Sequence, residues 1–486
     1  MLRCAAVALR ARAAIAAMLK DEYSEVTAPA QFAEFESLPL ESGLVLRRPS
    51  VAYHTWGTLN AEGTNGVFVA HALTGNSDLG SWWASLLGPG CAFDTRKYYV
   101  ICANMLGSCY GTTGPASEMP MGAAPWAAPR AGERARAAGA RYCADFPYAT
   151  LRDTVRLHHL LVAHLGVRRL HAVVGGSAGG MQALEWALMY PALVERVVAI
   201  GCGATQSAWQ VAISEAQRQA IYRDARWAQG YYAADAPPSE GLAVARQEAM
   251  IWYRSHEAYD AKFGRRPQPA ELERTKSSGS EEGEEGNGAH RPPHAPPPGA
   301  PPPPAGAPKH ASFSVEGYLE HQGAKFVDRF DANAYVALTR MLDSHDVGRG
   351  RGGVEAALAS LRQPTLVIGI SSDVLYPLEM QKELVRQLPN ATLRVVLSSE
   401  GHDGFLLEHG PIGDLIREAL DAPVAPDALV EKHVDDLKMS AATAQRILQN
   451  PDAMHAAMMS ARAEGRRADA ADEGAAPRSA EPGLSF

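Results

Sequence analysis

The sequence predicts an α/β protein: a mostly parallel central sheet, covered by helices and interrupted by a helical insertion. Two observations predict this class. Short apolar runs alternate with helical patterns over residues 31–204, and the alternation returns over residues 351–421. Between these parts, residues 205–350 carry helical patterns and no strand-like run. Continuous apolar runs are typical of strands buried on both faces, and their alternation with helices is typical of a doubly wound parallel sheet.

The strand predictions rest on apolar runs that are bounded by turn residues. They are GLVLRRPSVAYHTWG (43–57), NGVFVAHAL (65–73), KYYVICANML (97–106), LHAVVGG (170–176), VERVVAIGC (194–202), PTLVIGISS (364–372) and ATLRVVLSS (391–399). Residues 43–53 and their surroundings predict an antiparallel hairpin that leads the sheet. Helical patterns lie at 150–165 and 181–190, and Pro191 ends the second of these helices.

The insertion at 205–350 predicts a lid domain over the ends of the strands. Within it, residues 275–310 are rich in Gly, Ser and Glu and then in Pro, so they offer too few apolar side chains to fold. We expect a disordered spacer there, and the alternative is a ligand for an SH3-type or WW-type groove. Residues 422–486 predict a helix followed by a disordered tail.

Charge and cysteine usage narrow the class of protein. The formal net charge of -8 argues against nucleic acid or an anionic membrane as a partner. No apolar run is long enough for a transmembrane helix. Six cysteines without a CxxC pair favour reduced thiols and a cytoplasmic location. Residues 1–30 are rich in Ala and Arg, which predicts either a disordered terminus or a transit peptide for a mitochondrion or plastid.

The stretch AVVGGSAGGM (172–181) places Ser177 among four glycines. A phosphate-binding P-loop would need a lysine after the glycines, and a dinucleotide site would need the spacing GxGxxG; neither is present. The pattern that fits is G-x-S-x-G between a strand and a helix, which is a nucleophile elbow. Gly175 and Gly179 then leave room for a sharp turn that exposes the serine hydroxyl. A structural glycine-rich turn is the alternative.

A serine needs a base, and the base needs an acid to orient it. In sheets with such an elbow the three residues follow the chain order Ser, Asp or Glu, His. Asp373 and His402 each follow a predicted strand, in that order, so they are the candidate partners of Ser177. The backbone amides of Leu73 and Ala178 are the candidate oxyanion hole. His71 is expected to shape its loop, not to act in catalysis.

Several motifs in the same order resemble homoserine O-acetyltransferases over residues 38–420. They are HALTGNSD, LLGPGCAFDTRKYYVICANMLGSCYGTTGPAS, GGSAGGMQALEWALMYP, GLAVAR, KFVDRFDANAYVALTRMLD and GHDGFLLE. The resemblance implies an α/β-hydrolase fold with a helical lid, working as a homodimer. It also implies ping-pong transfer of the acetyl group of acetyl-CoA to the hydroxyl of L-homoserine, the first committed step of methionine biosynthesis. Acetyl-CoA would be a co-substrate, and neither a permanently bound cofactor nor a metal is expected.

Carried over to this chain, the resemblance makes Ser177 the nucleophile, His402 the base and Asp373 its orienting acid. It also implies that Arg246 and Asp403 bind substrate. A zwitterionic amino acid needs a cation for its carboxylate and an anion for its ammonium group, and these two side chains supply them. Two features depart from the family pattern: Ala178 stands where Met is common, and the Pro-rich insert is additional.

The residues leave other activities open. Transfer of a succinyl group, or acetylation of serine in place of homoserine, would use the same machinery, because one methylene changes discrimination by only about 1–3 kcal/mol. Hydrolysis of esters, with water as the acceptor, is a further alternative. A non-enzymatic binding protein would be expected to lack a member of the triad, and none is missing.

Overall fold

The computed structural model describes residues 27–120, 140–268 and 313–423. The strands in these ranges are β1 Gln31–Glu34, β2 Ser37–Pro39, β3 Val45–Arg47, β4 Ser50–Trp56, β5 Gly66–Ala70, β6 Tyr99–Ala103, β7 Leu170–Gly176, β8 Val197–Ile200, β9 Thr365–Ile370 and β10 Ala391–Val396. The helices are α1 Leu79–Trp82, α2 Leu151–His164, α3 Ala178–Met189, α4 Ala208–Tyr222, α5 Ser239–Tyr253, α6 His256–Lys262, α7 Ser314–Val327, α8 Ala332–Asp343, α9 Val354–Ser360, α10 Leu378–Gln387, α11 Gly404–Leu407 and α12 His409–Asp421.

Eight strands form one sheet in the order β1-β4-β6-β5-β7-β8-β9-β10. All neighbours from β6 to β10 are parallel, and β4 joins β1 and β6 in antiparallel fashion. The predicted fold class is therefore confirmed. The predicted antiparallel pairing of the leading strands is confirmed, but it takes the form of two pairs and not one hairpin: β3 pairs with β2 in a separate small sheet, while β4 pairs with β1 and β6. Strands β3 and β4 do not pair with each other, because β3 pairs with β2 and both edges of β4 are occupied, by β1 and β6.

The central strands β5, β6, β7 and β8 are buried on both faces of the sheet. In β7, Val173 packs into the core on one face, while Ala172 and Val174 pack into the core on the other. All three are fully buried. This arrangement is the reason why the run shows no alternation of apolar and polar residues.

Local signals set the ends of the helices next to the site. Thr150 caps α2 through a capping box with Asp153, at the predicted start. Helix α3 begins at Ala178, three residues before the predicted 181, because the glycines after Ser177 fall inside its first turn. The active-site loops thus stand at fixed points on rigid elements.

Helices α4 to α8 lie between β8 and β9 and form the helical segment, residues 205–350, of which 269–312 are outside the described residues. Its role as a lid stays a prediction at this point. Three further predictions concern residues outside the described ranges. They are the spacer at 275–310, the N-terminal segment 1–30 as far as residue 26, and the C-terminal segment 422–486 from residue 424 onward. No helix in the described ranges is both long and apolar enough to cross a membrane.

Candidate active site

Ser177 stands on a strained turn between β7 and α3. Its backbone has φ 57° and ψ −124°, a conformation that a residue with a side chain rarely adopts. The strand and helix fix this turn from both sides, and the Ser177 amide donates to the carbonyl of Ile200 at the end of β8 (2.8 Å). The hydroxyl is therefore presented at the carboxyl edge of the sheet, at the point expected of a nucleophile elbow.

The two glycines flanking the serine at a distance of two residues are required sterically. A Cβ added at Gly175 would lie 2.3 Å from the backbone of Gly179, and one at Gly179 would lie 2.0 Å from the carbonyl oxygen of Ala70. Neither obstacle is a side chain that could move aside. At Gly180 the obstacle is the Cys202 sulfur, 2.7 Å away, so this glycine allows α3 to pack close to the sheet.

Asp373 and His402 come together at the same edge of the sheet, from the loops after β9 and β10. The Nδ1 atom of His402 donates to Oδ2 of Asp373 over 2.7 Å, and both side chains are buried. The other Asp373 oxygen, Oδ1, accepts from the amides of Leu375 (2.9 Å) and Tyr376 (2.8 Å). Both oxygens of the carboxylate thus accept hydrogen bonds that fix its orientation, and it fixes the imidazole tautomer with Nε2 free of hydrogen.

The protonation of His402 reflects opposing influences. Burial lowers its pKa, but Asp373, through charge and hydrogen bond, and Asp403, through charge, outweigh burial, so the pKa is raised above the ordinary value of 6.5. The ring packs near those of Tyr376 (centres 5.2 Å apart) and Phe405 (5.3 Å). A histidine with this environment is suited to accept a proton near neutral pH.

Ser177 and His402 line one cavity of about 510 Å³, but no hydrogen bond joins the serine hydroxyl to the imidazole in this structure. Such contacts are often loose in an unliganded enzyme and tighten when substrate binds. The structure thus brings the predicted base and acid into contact and places the predicted nucleophile in the same cavity.

Leu73 and Ala178, the candidate oxyanion donors, lie on different elements. Ala178 is the first residue of α3, where the amides have no acceptor within the helix. Leu73 lies in the turn after β5 and lines the cavity. His71, as expected, shapes this turn: Nδ1 donates to the Ala72 carbonyl (2.7 Å) and Nε2 accepts from the Met105 amide (3.0 Å). Burial lowers the pKa of His71 to about 4, so it is neutral.

Arg246 and Asp403 also line the cavity. Arg246 extends from α5, and its guanidinium carbon lies 5.1 Å from the centre of the Phe326 ring and 5.7 Å from that of Tyr253. Asp403 follows His402 directly, so its position is tied to that of the base. The cavity that Ser177 lines therefore includes at least one cation and one anion, which an amino-acid substrate requires.

Sequence reasoning missed two further arginines of the cavity wall. Arg254, at the end of α5, pairs with Glu400 and lies 3.9 Å (Nη1 to Oδ2) from Asp403. Arg329, after α7, donates to the Thr74 carbonyl and to the Tyr110 hydroxyl. Arg254 lies outside the quoted motifs, and Arg329 lies inside the motif KFVDRFDANAYVALTRMLD, but the sequence around neither arginine indicates its partners, which are far away along the chain. In the ranges covered by the structure, no group of His, Cys, Asp and Glu could hold a metal ion.

The sequence of the chain matches a known protein family. The α/β-hydrolase fold model matches residues 66–409. A curated relative, homoserine O-acetyltransferase of Chlorobium chlorochromatii (strain CaD3), is 43% identical over 78% of this chain and 92% of its own length. The chain belongs to the homoserine O-acetyltransferase family. Its departure at Ala178 leaves the backbone amide of that position available.

Solved structures share the fold of this homoserine O-acetyltransferase family member. The homoserine O-acetyltransferase of Bacillus anthracis has a TM-score of 0.66 at 24% identity, covering 82% of this chain and 98% of its own. Esterase E22 has a TM-score of 0.63 at 25% identity, covering 81% of this chain and 99% of its own. Since a transferase and an esterase share this backbone to a similar degree, the acceptor must be argued from the side chains of the cavity.

Proposed function

We propose that the protein transfers the acetyl group of acetyl-CoA to the γ-hydroxyl of L-homoserine, an early step of methionine biosynthesis. One observation carries the proposal. A serine on a strained turn lines the same cavity as His402, which is hydrogen-bonded to Asp373, and as Arg246 and Asp403. The names of the curated relatives support the same reaction.

In the first half of the reaction, Nε2 of His402 takes the proton of the Ser177 hydroxyl as the oxygen attacks the thioester carbonyl. The amides of Leu73 and Ala178 bind the resulting oxyanion, and each donor contributes roughly 3 kcal/mol to the transition state in comparable sites. The carbon–sulfur bond then breaks, and the CoA thiolate takes the proton from His402. The acetyl group stays on Ser177 as an ester.

In the second half, the homoserine hydroxyl gives its proton to His402 and attacks the acetyl-enzyme. Arg246 binds the carboxylate of homoserine, and Asp403 binds its ammonium group. Collapse of the second tetrahedral intermediate breaks the bond to Ser177, whose oxygen recovers the proton from His402. The helical segment forms one wall of the cavity and acts as a lid that limits access of water to the acetyl-enzyme.

Ester hydrolysis is the second candidate, favoured by the likeness to esterase E22. The two candidates differ in what Arg246 does. In the transferase, Arg246→Lys raises the KM for homoserine at least tenfold and leaves acetylation of Ser177 unchanged, since a lysine cannot form the planar pair with a carboxylate. In a simple esterase, the same change has no effect on any amino-acid acceptor.

Steady-state rates test the proposal directly. Acetyl-CoA and succinyl-CoA are each combined with L-homoserine, L-serine and water alone. We expect kcat/KM to be highest for acetyl-CoA with L-homoserine. Equal or better use of succinyl-CoA, or of serine, would assign the protein to the corresponding transferase, and hydrolysis that is independent of either amino acid would assign it to the esterases. The homodimer and the compartment remain predictions.

A further inference from the structure

Arg329 connects the helical segment to the turn that follows β5. It lies just beyond the end of α7, and its Nη1 atom donates to the Thr74 carbonyl over 3.1 Å and to the Tyr110 hydroxyl over 2.5 Å. Thr74 is the residue after Leu73. An arginine of the helical segment is thus hydrogen-bonded to the backbone that carries one of the two candidate oxyanion donors.

The turn is otherwise held from the sheet side. The Gly75 amide closes it by donating to the Ala72 carbonyl (3.0 Å), which also accepts from Nδ1 of His71 (2.7 Å). The His71 carbonyl accepts from Nε2 of Gln182 in α3 (3.2 Å). These bonds fix the start and the closure of the turn. The Arg329 bond adds a restraint at Thr74, on the side that faces the helical segment.

Aromatic rings hold the Arg329 side chain in place. Its guanidinium carbon lies 4.8 Å from the centre of the Phe326 ring, and the buried Phe326 ring also contacts the Arg246 guanidinium at 5.1 Å. Tyr110, the second acceptor, packs edge-on against Phe330 with ring centres 5.8 Å apart. Arg329 is therefore fixed by the same ring that fixes the candidate substrate arginine.

We propose that Arg329 is a positioning residue for the oxyanion hole: by bonding the Thr74 carbonyl, it keeps the Leu73 amide aimed at the position where the oxyanion forms. The inference rests on one part of the proposed function, acylation of Ser177 with Leu73 as an oxyanion donor, and not on the identity of the acceptor. A misplacement of reacting groups by about 1 Å can cost roughly 100-fold in rate, so one such restraint matters.

The competing role for Arg329 is direct binding of a substrate. Arg329 lines the cavity, and its Nε atom is buried without a hydrogen-bond partner among the described residues. The two roles differ in their kinetic effects. A positioning residue acts on acylation by any acetyl donor and leaves the KM for homoserine unchanged, whereas a substrate-binding residue changes KM for the substrate that it contacts.

The test is the burst of p-nitrophenol released when Ser177 is acetylated by p-nitrophenyl acetate, measured by stopped flow. We expect Arg329→Gln to slow the burst roughly 10- to 100-fold, with a KM for homoserine within twofold of the wild-type value. Arg329→Lys keeps a charged donor and should recover part of the rate. Tyr110→Phe, which removes only the second acceptor, should slow the burst by a smaller factor.

Arg266→Gln is the matched control, because this exposed arginine of the helical segment also donates to a carbonyl, that of Ala261, outside the cavity. A burst rate for Arg329→Gln equal to that of the control, or an unchanged burst with a raised KM for homoserine, would overturn the inference. Thermal melting checks that each variant is folded. If Arg329→Gln does not fold, the burst rates of Arg329→Lys and Tyr110→Phe test the inference in its place. A wild-type enzyme that gives the burst but transfers nothing to homoserine would refute the proposed function and leave this inference standing.

Discussion

Replacing Asp373 with Asn tests the catalytic pair with little change of shape. The Asp373 carboxylate accepts from His402 Nδ1 (2.7 Å) and from the amides of Leu375 and Tyr376 (2.9 and 2.8 Å). An asparagine oxygen can keep the two amides as donors, which places its NH₂ group against Nδ1 of His402. Nδ1 of His402 must then accept a hydrogen bond from this NH₂ group, so the ring proton moves to Nε2.

The size of the effect follows from this change of tautomer. A histidine that carries its proton on Nε2 cannot take the proton of Ser177, although all groups remain in place. Loss of the orienting acid in a triad lowers kcat by about 10⁴-fold, which corresponds to about 5 kcal/mol in the activation free energy. The fold should be retained, because the two amides keep their acceptor.

The pH dependence gives a second measure from the same variant. The reaction needs neutral His402, so activity of the wild-type protein falls as the pH drops below the raised pKa, which lies above 6.5. Without the Asp373 charge, burial remains as the largest influence and lowers the pKa. The acidic limb of kcat/KM should therefore move to lower pH in Asp373→Asn.

Rates of acetyl transfer from pH 5 to 9 provide the assay, with Asp414→Asn as the control, because that carboxylate is 71% exposed and pairs only at the surface with Arg417. The control should match the wild type. A kcat for Asp373→Asn above one tenth of the wild-type value, or an acidic limb that does not move, would refute the roles given to Asp373 and His402.

Two other predictions concern stability. Gly179→Ala should lower the free energy of unfolding by at least about 3 kcal/mol, since the added Cβ would meet a backbone carbonyl at 2.0 Å. Gly410→Ala is the control, because its added Cβ would meet nothing within 4 Å. Equal urea midpoints for the two variants would contradict the steric argument. Burial lowers the pKa of His71 and of His158 to about 4, so unfolding takes up protons below pH 6.5. The contribution of each histidine to the free energy of unfolding should be constant above pH 6.5 and should fall by up to about 3 kcal/mol as the pH approaches 4. Urea midpoints that are equal at pH 7 and pH 5 would disprove this.

The sheet and the elbow could be predicted because their signals are local. The run LHAVVGG encodes a strand buried on both faces, and the glycines around Ser177 encode the turn that follows it. Asp373 and His402 could be placed because each follows a strand, and the carboxyl ends of parallel strands meet at one edge. The structure indeed joins them by a hydrogen bond of 2.7 Å.

Contacts between distant parts of the chain could not be predicted in this way. Arg329 meets Thr74 across 255 positions, and nothing in the residues around either one specifies the other. The pairing of β3 with β2 and of β4 with β1 depends on competition between alternative partners, which apolar patterns do not rank. The helical segment was recognisable as helices, but its packing over the cavity is a property of the folded chain.

Detection of the acetyl-enzyme tests the central claim most directly. The protein is mixed with acetyl-CoA without homoserine, quenched with acid within milliseconds to seconds, digested and analysed by mass spectrometry, with Ser177→Ala in parallel. We expect one added acetyl group on the peptide that contains Ser177, its loss when homoserine is added before the quench, and no adduct in the variant. An acetyl group on another residue, or transfer by the Ser177→Ala variant at the wild-type rate, would contradict it.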